Sequence, residues 1–219
     1  MHSYPVFFMT KTAAAVINGG LSETSKMPCK SYSLPTVACQ TGFKMAQIEG
    51  SVCASCYANK GNYARYANNI EPAQHARLDS IDSQYWVAAM VGSIGADPYF
   101  RWHDSGDLQS LEHFQKIVAV CLATPATLHW LPTREYKIIS DYIKAGYSIP
   151  VNLFVRLSAM YPDRPVTVPA ALQNIAGITT SHVHTSGDPI QACNAPNQDG
   201  ECRDCRKCWS MENVTYKMH

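Results

Sequence analysis

The sequence predicts an α/β protein, a partial or distorted β/α barrel with parallel strands and long cysteine-bearing irregular segments at both ends. Three observations lead to this prediction. Strand-like and helix-like segments alternate from Tyr99 onward, nine cysteines fall mainly in two loop-like regions, and 46% of the 219 residues are hydrophobic while 16% are charged. Alternating strands and helices favour a parallel sheet with right-handed crossovers. An open doubly wound sheet is the alternative.

Four predicted strands and the segments between them form the central region. The strands are "YFRWHD", "TLHWLPTRE", "VNLFVRLSAM" and "ITTSHVHTSGD", and Pro132 is expected to end the second. "SLEHFQKIVAVCLATP" predicts a helix with Ser110 as N-cap, "YKIISDYIKAG" a helix that Gly146 ends, and "VPAALQNIAG" a short helix. "EPAQHARLDSIDSQYWVAAMVGSI" looks helical, as one or two helices. "YPVFFMT" is a candidate early strand, and a further strand is expected near the cysteines.

The length favours a single domain over residues 1–219. Within it we distinguish a cysteine-rich loop region at about 26–70, a β/α core at about 71–190 and a C-terminal cysteine cluster at about 191–212. The loop region is too long for an ordinary connection and needs a source of order, which a bound metal would supply.

Charge and hydropathy limit the partners. The net charge of +1 predicts no general attraction to nucleic acid or to an anionic membrane. No apolar run is long enough for a membrane span, and Lys11 interrupts the apolar start, which also lacks a basic leading region. We therefore expect a cytoplasmic protein with reduced thiols. Stacking of "NKGNYARYANN" on single-stranded nucleic acid is less favoured than a solvated loop. The sequence makes no prediction of oligomeric state.

The cysteines predict metal binding, because an odd count without a signal peptide argues against a disulfide framework. Cys121 lies on the apolar stripe of a predicted helix and is assigned to the core. Cys202, Cys205 and Cys208 form a C-x2-C-x2-C run, which favours an iron–sulfur cluster, with zinc as the alternative. The eight cysteines other than Cys121 form two sets. The N-terminal set is Cys29, Cys39, Cys53 and Cys56, and the C-terminal set is Cys193, Cys202, Cys205 and Cys208. Either each set holds its own centre, or cysteines from both sets share a centre that joins the chain ends.

Polar residues follow the predicted strands. In parallel sheets and barrels, ligands bind at the carboxyl ends of the strands, which makes these residues candidates for catalysis or binding. The candidate catalytic residues are Asp104, Asp107, Arg134, Arg156 and Ser158, and His103 stands beside the first of them. The aspartates suit acid–base work or helix capping. The arginines suit a carboxylate or phosphate clamp, or a salt bridge to a nearby acid.

Six segments together resemble the serial motifs of a phage-encoded, cysteine-rich iron–sulfur protein family of unknown function. They are "SLPTVACQTG", "VCASCYANKGNY", "RWHDSGDLQS", "LPTRE", "VNLFVRLSAM" and "CRDCRKCW". The resemblance covers most of the chain from about Lys26 to Trp209. It implies an iron–sulfur protein in the host cytoplasm and supplies no reaction.

The chain more distantly resembles radical S-adenosylmethionine enzymes, which are partial or full β/α barrels. Cys53 and Cys56 look like the latter half of their cluster motif, but Glu49 stands where a further cysteine is usual, so Cys39 would take that place. The resemblance implies a [4Fe–4S] cluster with an open iron and S-adenosylmethionine as ligand. The residues that it implies for cofactor binding are Ser105, Gly106, Asp107, Arg156 and Ser158.

The favoured hypothesis is an enzyme with one or two [4Fe–4S] clusters that performs redox or Lewis-acid chemistry on a small molecule, as an oxidoreductase, a lyase or a radical-S-adenosylmethionine-like enzyme. One alternative is a non-enzymatic binding module ordered by zinc or an iron–sulfur cluster. The other is a factor that modifies or binds nucleic acid.

Overall fold

A seven-stranded sheet forms the centre of the computed structural model, which describes residues 4–24, 26–187 and 189–218. The strands lie side by side in chain order, and the sheet does not close into a barrel. The first two strands pair antiparallel, and every later pair is parallel. The strands are β1 (Ser22–Glu23), β2 (Lys30–Tyr32), β3 (Tyr99–Trp102), β4 (Leu128–Thr133), β5 (Leu153–Ser158), β6 (Ile178–His184) and β7 (Val214–Lys217).

Helices connect the strands and precede them. Short 3-10 turns carry several of the cysteines, including those at Cys53–Ser55 and Lys207–Trp209. The helices are α1 (Lys11–Asn18), α2 (Gln40–Ala46), α3 (Gly61–Arg65), α4 (Ala67–Ser80), α5 (Trp86–Ile94), α6 (Leu111–Ala123) and α7 (Tyr136–Lys144).

The hydrophobic core lies between one face of the sheet and the helices. Phe100, Trp102 and Leu131 have no exposed surface, and they pack in one cluster with Trp86 of α5 and Phe114 of α6. Because side chains alternate along a strand, the intervening residues point to the opposite face. That second face carries the polar and cysteine-bearing part of the molecule.

The pairing of neighbouring strands shows which residues lie side by side on this second face. Arg101 pairs with Trp130 across β3 and β4, Pro132 pairs with Arg156 across β4 and β5, and Val183 pairs with Tyr216 across β6 and β7. The C-terminal segment packs there, since the Trp209 ring lies 5.5 Å from the Trp130 ring.

The structure confirms most of the predicted elements. The four predicted strands are β3 to β6, the long helical stretch forms α4 and α5, and β7 follows the C-terminal cysteines. The Ser110 hydroxyl caps α6 by accepting from the His113 N–H at 3.0 Å. Beyond α7, Gly146 takes a φ of 84°, which suits a residue without a Cβ. An α/β protein with a mostly parallel sheet was therefore correctly predicted.

Three local predictions were wrong. Residues 4–10 form no strand; they lead into α1, which the Thr10 hydroxyl caps. β4 continues through Pro132, because a proline can lie in a strand where its missing N–H is not needed. The short helix predicted for "VPAALQNIAG" is only a 3-10 turn at Ala170–Leu172.

None of the helices in the described part of the chain is both long enough and apolar enough to span a bilayer.

Candidate functional site

A cavity of about 580 Å³ opens on the second face of the sheet. It lies where β3, β4 and β5 end, so polar residues that follow these strands form part of its wall. Cysteines of the N-terminal set form another part. The residues that matter for its chemistry are Cys39, Cys53, Cys56, Arg101, His103, Asp104, Ser105, Gly106, Asp107, Trp130, Arg134, Ser158 and Tyr216.

Backbone and side-chain hydrogen bonds hold the segment that carries Cys39, Cys53 and Cys56 over the strand ends. The Val52 N–H donates to the Met160 carbonyl at 2.9 Å, just beyond β5. The Thr41 amide and hydroxyl each donate to the Glu135 carboxylate at 2.7 Å, which fixes α2 against the start of α7. Cys39 immediately precedes α2, so its position follows from these contacts.

Three thiols, those of Cys39, Cys53 and Cys56, share this wall of the cavity. Burial raises the pKa of Cys39 to about 12, and the charges of Asp107 and the other two cysteines act in the same direction. Burial also raises the pKa of Cys53, while Arg134 opposes the shift. Cys39 and Cys53 are therefore protonated thiols at neutral pH, poorly suited to act as nucleophiles.

A glycine keeps the space between two of the sulfurs open. A Cβ placed on Gly42 would lie 3.6 Å from the Cys39 sulfur and 3.7 Å from the Cys53 sulfur. Both sulfurs therefore border one small volume, which any larger residue at position 42 would partly fill.

The turn "SGD" after β3 forms the floor beside the thiols. The Leu34 N–H donates to the Ser105 carbonyl at 2.8 Å, and the Ser105 hydroxyl donates to the Leu34 carbonyl at 2.9 Å. Gly106 takes a φ of 77°. These bonds join the turn to the chain that leads to Cys39.

Asp107 is the best-supported carboxylate in the cavity. It accepts from the Thr133 hydroxyl at 2.6 Å, the Arg134 amide at 2.8 Å and the Leu108 amide at 2.8 Å. Burial still dominates and raises its pKa to about 6, although these bonds oppose the shift. Asp107 can therefore exchange a proton close to neutral pH.

His103 adds an imidazole without a hydrogen-bond partner. It is 3% exposed, and neither of its ring nitrogens has such a partner among the residues that the structure describes. Burial, and then the charge of Arg101, lower its pKa to about 3. Its φ of 55° is uncommon for a residue with a side chain. The backbone thus holds a neutral ring in the cavity wall.

Asp104, Arg134 and Ser158 also line the cavity, as the sequence led us to expect. The Asp104 carboxylate accepts from the Ser31 hydroxyl at 2.6 Å and the Tyr63 hydroxyl at 2.5 Å. The Arg134 Nε donates to the Ala159 carbonyl at 3.0 Å. The structure therefore places four of the five candidate catalytic residues in one cavity: Asp104, Asp107, Arg134 and Ser158.

Arg156 lies elsewhere. It has no exposed surface and is not part of the cavity lining. Its guanidinium donates to four backbone carbonyls, three of them in the C-terminal segment: those of Thr180, Lys207, Ser210 and Glu212. Arg156 therefore holds the cysteine-bearing C-terminal segment against the sheet, and it does not face the site to which the sequence assigned it.

The other candidate ligands, Cys29, Cys193, Cys202, Cys205 and Cys208, also lie outside this cavity, and all nine cysteines are free thiols. No three His, Cys, Asp or Glu side chains within residues 4–24, 26–187 and 189–218 form a group that could hold one metal ion. Cys121 has no exposed surface and packs in the core, as predicted.

Comparison with known protein families identifies the family of this chain. A family model described as Gene product 88 matches residues 8–211, which is most of the chain. The chain belongs to the Gene product 88 family. This is a phage-type gene product family, so the predicted phage relationship is confirmed at that level. No curated protein and no solved structure matches the chain.

The part matched by the Gene product 88 model includes both cysteine sets and the lining of the cavity except Tyr216, Lys217 and Met218. Sequence reasoning missed several residues of this cavity. Arg101, Trp130 and Tyr216 line it, but they point into it only because alternation along the strands places them on the second face. The sequence contains only a weak indication of Gly42, which is a small residue three positions after Cys39. The sequence contains no indication of the bond between Glu135 and Thr41, because the two residues are 94 positions apart.

Proposed function

We propose that this Gene product 88 family member is an iron–sulfur enzyme, with Cys39, Cys53 and Cys56 holding a [4Fe–4S] cluster in the cavity. The observation that carries the proposal is that these three cysteines line one cavity, beside the polar ends of parallel strands. Three protein ligands leave one iron of such a cluster open to a small molecule. S-adenosylmethionine is the molecule that the distant radical-enzyme resemblance implies.

The residues fit this group in two respects. Gly42 leaves open the volume beside the Cys39 and Cys53 sulfurs. Soft thiolate donors also suit iron–sulfur clusters, and metal binding displaces the protons that buried thiols otherwise keep. The raised pKa of Cys39 therefore predicts that cluster binding releases protons.

A [4Fe–4S] cluster and a single ion place different demands on the positions of the sulfurs. A lone zinc ion needs its sulfurs gathered at about 2.3 Å from one point. The described side chains form no such group. In a [4Fe–4S] cluster each thiolate binds a different iron, so the sulfurs stand farther apart.

When bound, such a cluster supplies an open iron that can hold the amine and carboxylate of S-adenosylmethionine. The chain's own groups would then bind and orient the rest of the ligand. Asp107, with its pKa of about 6, can accept or donate a proton. His103 would contribute a neutral imidazole to the cavity wall, because burial lowers its pKa to about 3. The Arg134 guanidinium would attract a carboxylate.

Anaerobic purification tests the proposal. The wild-type protein should contain iron and acid-labile sulfide, and the electron paramagnetic resonance signal of the reduced protein should change when S-adenosylmethionine is added. Cys53→Ser with Cys56→Ser should remove the S-adenosylmethionine-dependent change. The matched control is Cys205→Ser, an exposed cysteine outside the cavity, which should keep it.

Wild-type protein without iron and sulfide would refute the proposal. A full iron content with a signal that S-adenosylmethionine leaves unchanged would retain the iron–sulfur protein and reject S-adenosylmethionine as its ligand.

A further inference from the structure

A second group of cysteines lies outside the cavity: Cys29, Cys193, Cys202, Cys205 and Cys208. The Cys202 N–H donates to the Lys26 carbonyl at 2.9 Å, three residues before Cys29. The Cys193 N–H donates to the Thr215 carbonyl of β7 at 2.7 Å. These bonds bring the segment before β2 and the segment before β7 together.

Electrostatic interactions connect four of these cysteines in a ring, in the order Cys29, Cys202, Cys193 and Cys208. Cys29 interacts electrostatically with Cys202 and with Cys208, and Cys193 interacts with the same two. Cys205 is a neighbour of Cys193 and Cys202, but it is exposed to solvent. Cys29, which the sequence places with the N-terminal set, therefore lies with the C-terminal one.

Basic side chains surround this ring. Arg101 interacts with Cys29, Cys202 and Cys208. Arg156 interacts with Cys208, and Lys207 with Cys193. Cationic neighbours offset the negative charge that thiolates and a sulfide-containing cluster would bring together. In contrast, Arg134 is the cation that acts on Cys53 in the cavity.

The backbone around the ring is held in place. The four carbonyls that accept from Arg156 include those of Lys207 and Ser210, on both sides of Cys208. The indole N–H of Trp209 donates to the Phe100 carbonyl at 2.9 Å. The Cys208 sulfur lies 3.3 Å from the Tyr216 hydroxyl. Ligands on a fixed backbone lose less conformational freedom when they bind a metal.

We propose that Cys29, Cys193, Cys202 and Cys208 hold a second [4Fe–4S] cluster, separate from the cavity, and that Cys205 is not one of its ligands. Four protein ligands leave no iron open in this cluster. Its place joins the β2 end of the sheet to the segment before β7. The inference is independent of the chemistry proposed for the cavity.

Iron and sulfide analysis of four anaerobic proteins tests it. The wild type should contain about eight iron atoms per chain, the content of two [4Fe–4S] clusters. Cys29→Ser with Cys193→Ser should contain half of the wild-type iron and sulfide. Cys53→Ser with Cys56→Ser should also contain half, because it affects only the cavity. Cys205→Ser, the matched control, should keep the wild-type content. Circular dichroism confirms that each variant is folded.

The outcomes separate the two proposals. If Cys29→Ser with Cys193→Ser keeps all of the wild-type iron, the second cluster is refuted while the cavity cluster stands. If only that variant loses iron, the second cluster stands and the cavity proposal fails. Loss of half of the iron in Cys205→Ser overturns the ligand set. One equivalent of zinc in place of iron overturns the assignment as a cluster.

A misfolded Cys29→Ser with Cys193→Ser protein would not prevent a decision. The wild-type content then decides, since about four iron atoms per chain, together with their complete loss in Cys53→Ser with Cys56→Ser, would leave no iron for a second cluster.

Discussion

Three buried histidines show how burial sets charge in this protein. Burial lowers the pKa of His103 and His129 to about 3, and that of His113 well below 6.5. Burial acts in the opposite direction on an acid, and it raises the pKa of Asp107 from 3.8 to about 6. Both kinds of group are thus shifted toward their neutral forms.

These shifts predict acid-sensitive stability. Between pH 6.5 and about 3 the unfolded chain protonates His129 and the folded chain does not, so the free energy of unfolding should fall as the pH falls. Replacing His129 with Gln should reduce this slope by up to about 1.4 kcal/mol per pH unit. Urea denaturation of the reduced, metal-free protein at several pH values measures it.

His182→Gln is the control, because it makes the same substitution at a histidine that is only partly buried. Asp107 opposes the histidines between pH 3.8 and about 6, where its folded form binds the additional proton. An unaltered slope in His129→Gln would contradict the conclusion that burial lowers the pKa of His129 in the folded protein.

At the scale of the elements, the turn after β3 decides where the cavity residues stand. Ser105 bonds to Leu34 through both its hydroxyl and its carbonyl, and Asp107 bonds to the end of β4. The turn therefore connects the cysteine-bearing segment to two neighbouring strands. Any change that separates it from Leu34 should disturb the whole wall.

Gly106→Ala should cause such a separation. A Cβ at this position would lie 2.5 Å from the Leu34 Cβ and 2.8 Å from the Leu34 carbonyl oxygen, and φ is 77°. The loss in the free energy of unfolding should exceed that of Gly146→Ala by about 2 kcal/mol or more, since steric overlap adds to the strain of a positive φ.

Gly146 is a matched control, because its φ is 84° and nothing lies within 4 Å of the Cβ position. Thermal and urea unfolding of both variants provide the comparison. Equal losses would mean that the contact with Leu34 is not tight.

At the scale of the whole molecule, two side chains adjoin both groups of thiols. Tyr216 and Arg101 line the cavity. Tyr216 also contacts Cys208, and Arg101 interacts with Cys29. Arg101 and Tyr216 thus border both proposed centres, and the C-terminal segment contributes ligands to one of them.

Metal binding should stabilise the molecule unequally through these two centres. Cys29 and Cys193 are about 160 positions apart and Cys39 and Cys53 about 14, so linking the first pair restricts the unfolded chain more, by about 2 kcal/mol. Iron-loaded protein should melt at a higher temperature than metal-free protein.

Calorimetry on variants that lack either set of ligands checks this expectation. Most of the gain in melting temperature should disappear in Cys29→Ser with Cys193→Ser and persist in Cys53→Ser with Cys56→Ser. The reverse order would mean that loop closure does not govern the stabilisation.

The sequence by itself determined the order of strands and helices from β3 to β6, the cap at Ser110, and the polar strand ends that meet at Asp104, Asp107, Arg134 and Ser158. These features depend on hydrophobic periodicity, on capping chemistry and on the rule that parallel strands end at one edge, all of which are local or general.

Only the tertiary structure decided that Arg156 holds the C-terminal segment, that Cys29 leaves its neighbours in sequence for Cys202 and Cys208, and that residues 4–10 form no strand. The partners of Arg156 and Cys29 are up to 179 positions away, so no short-range pattern specifies them. They are chosen when the sheet assembles, because burial and backbone hydrogen bonds then bring distant segments together.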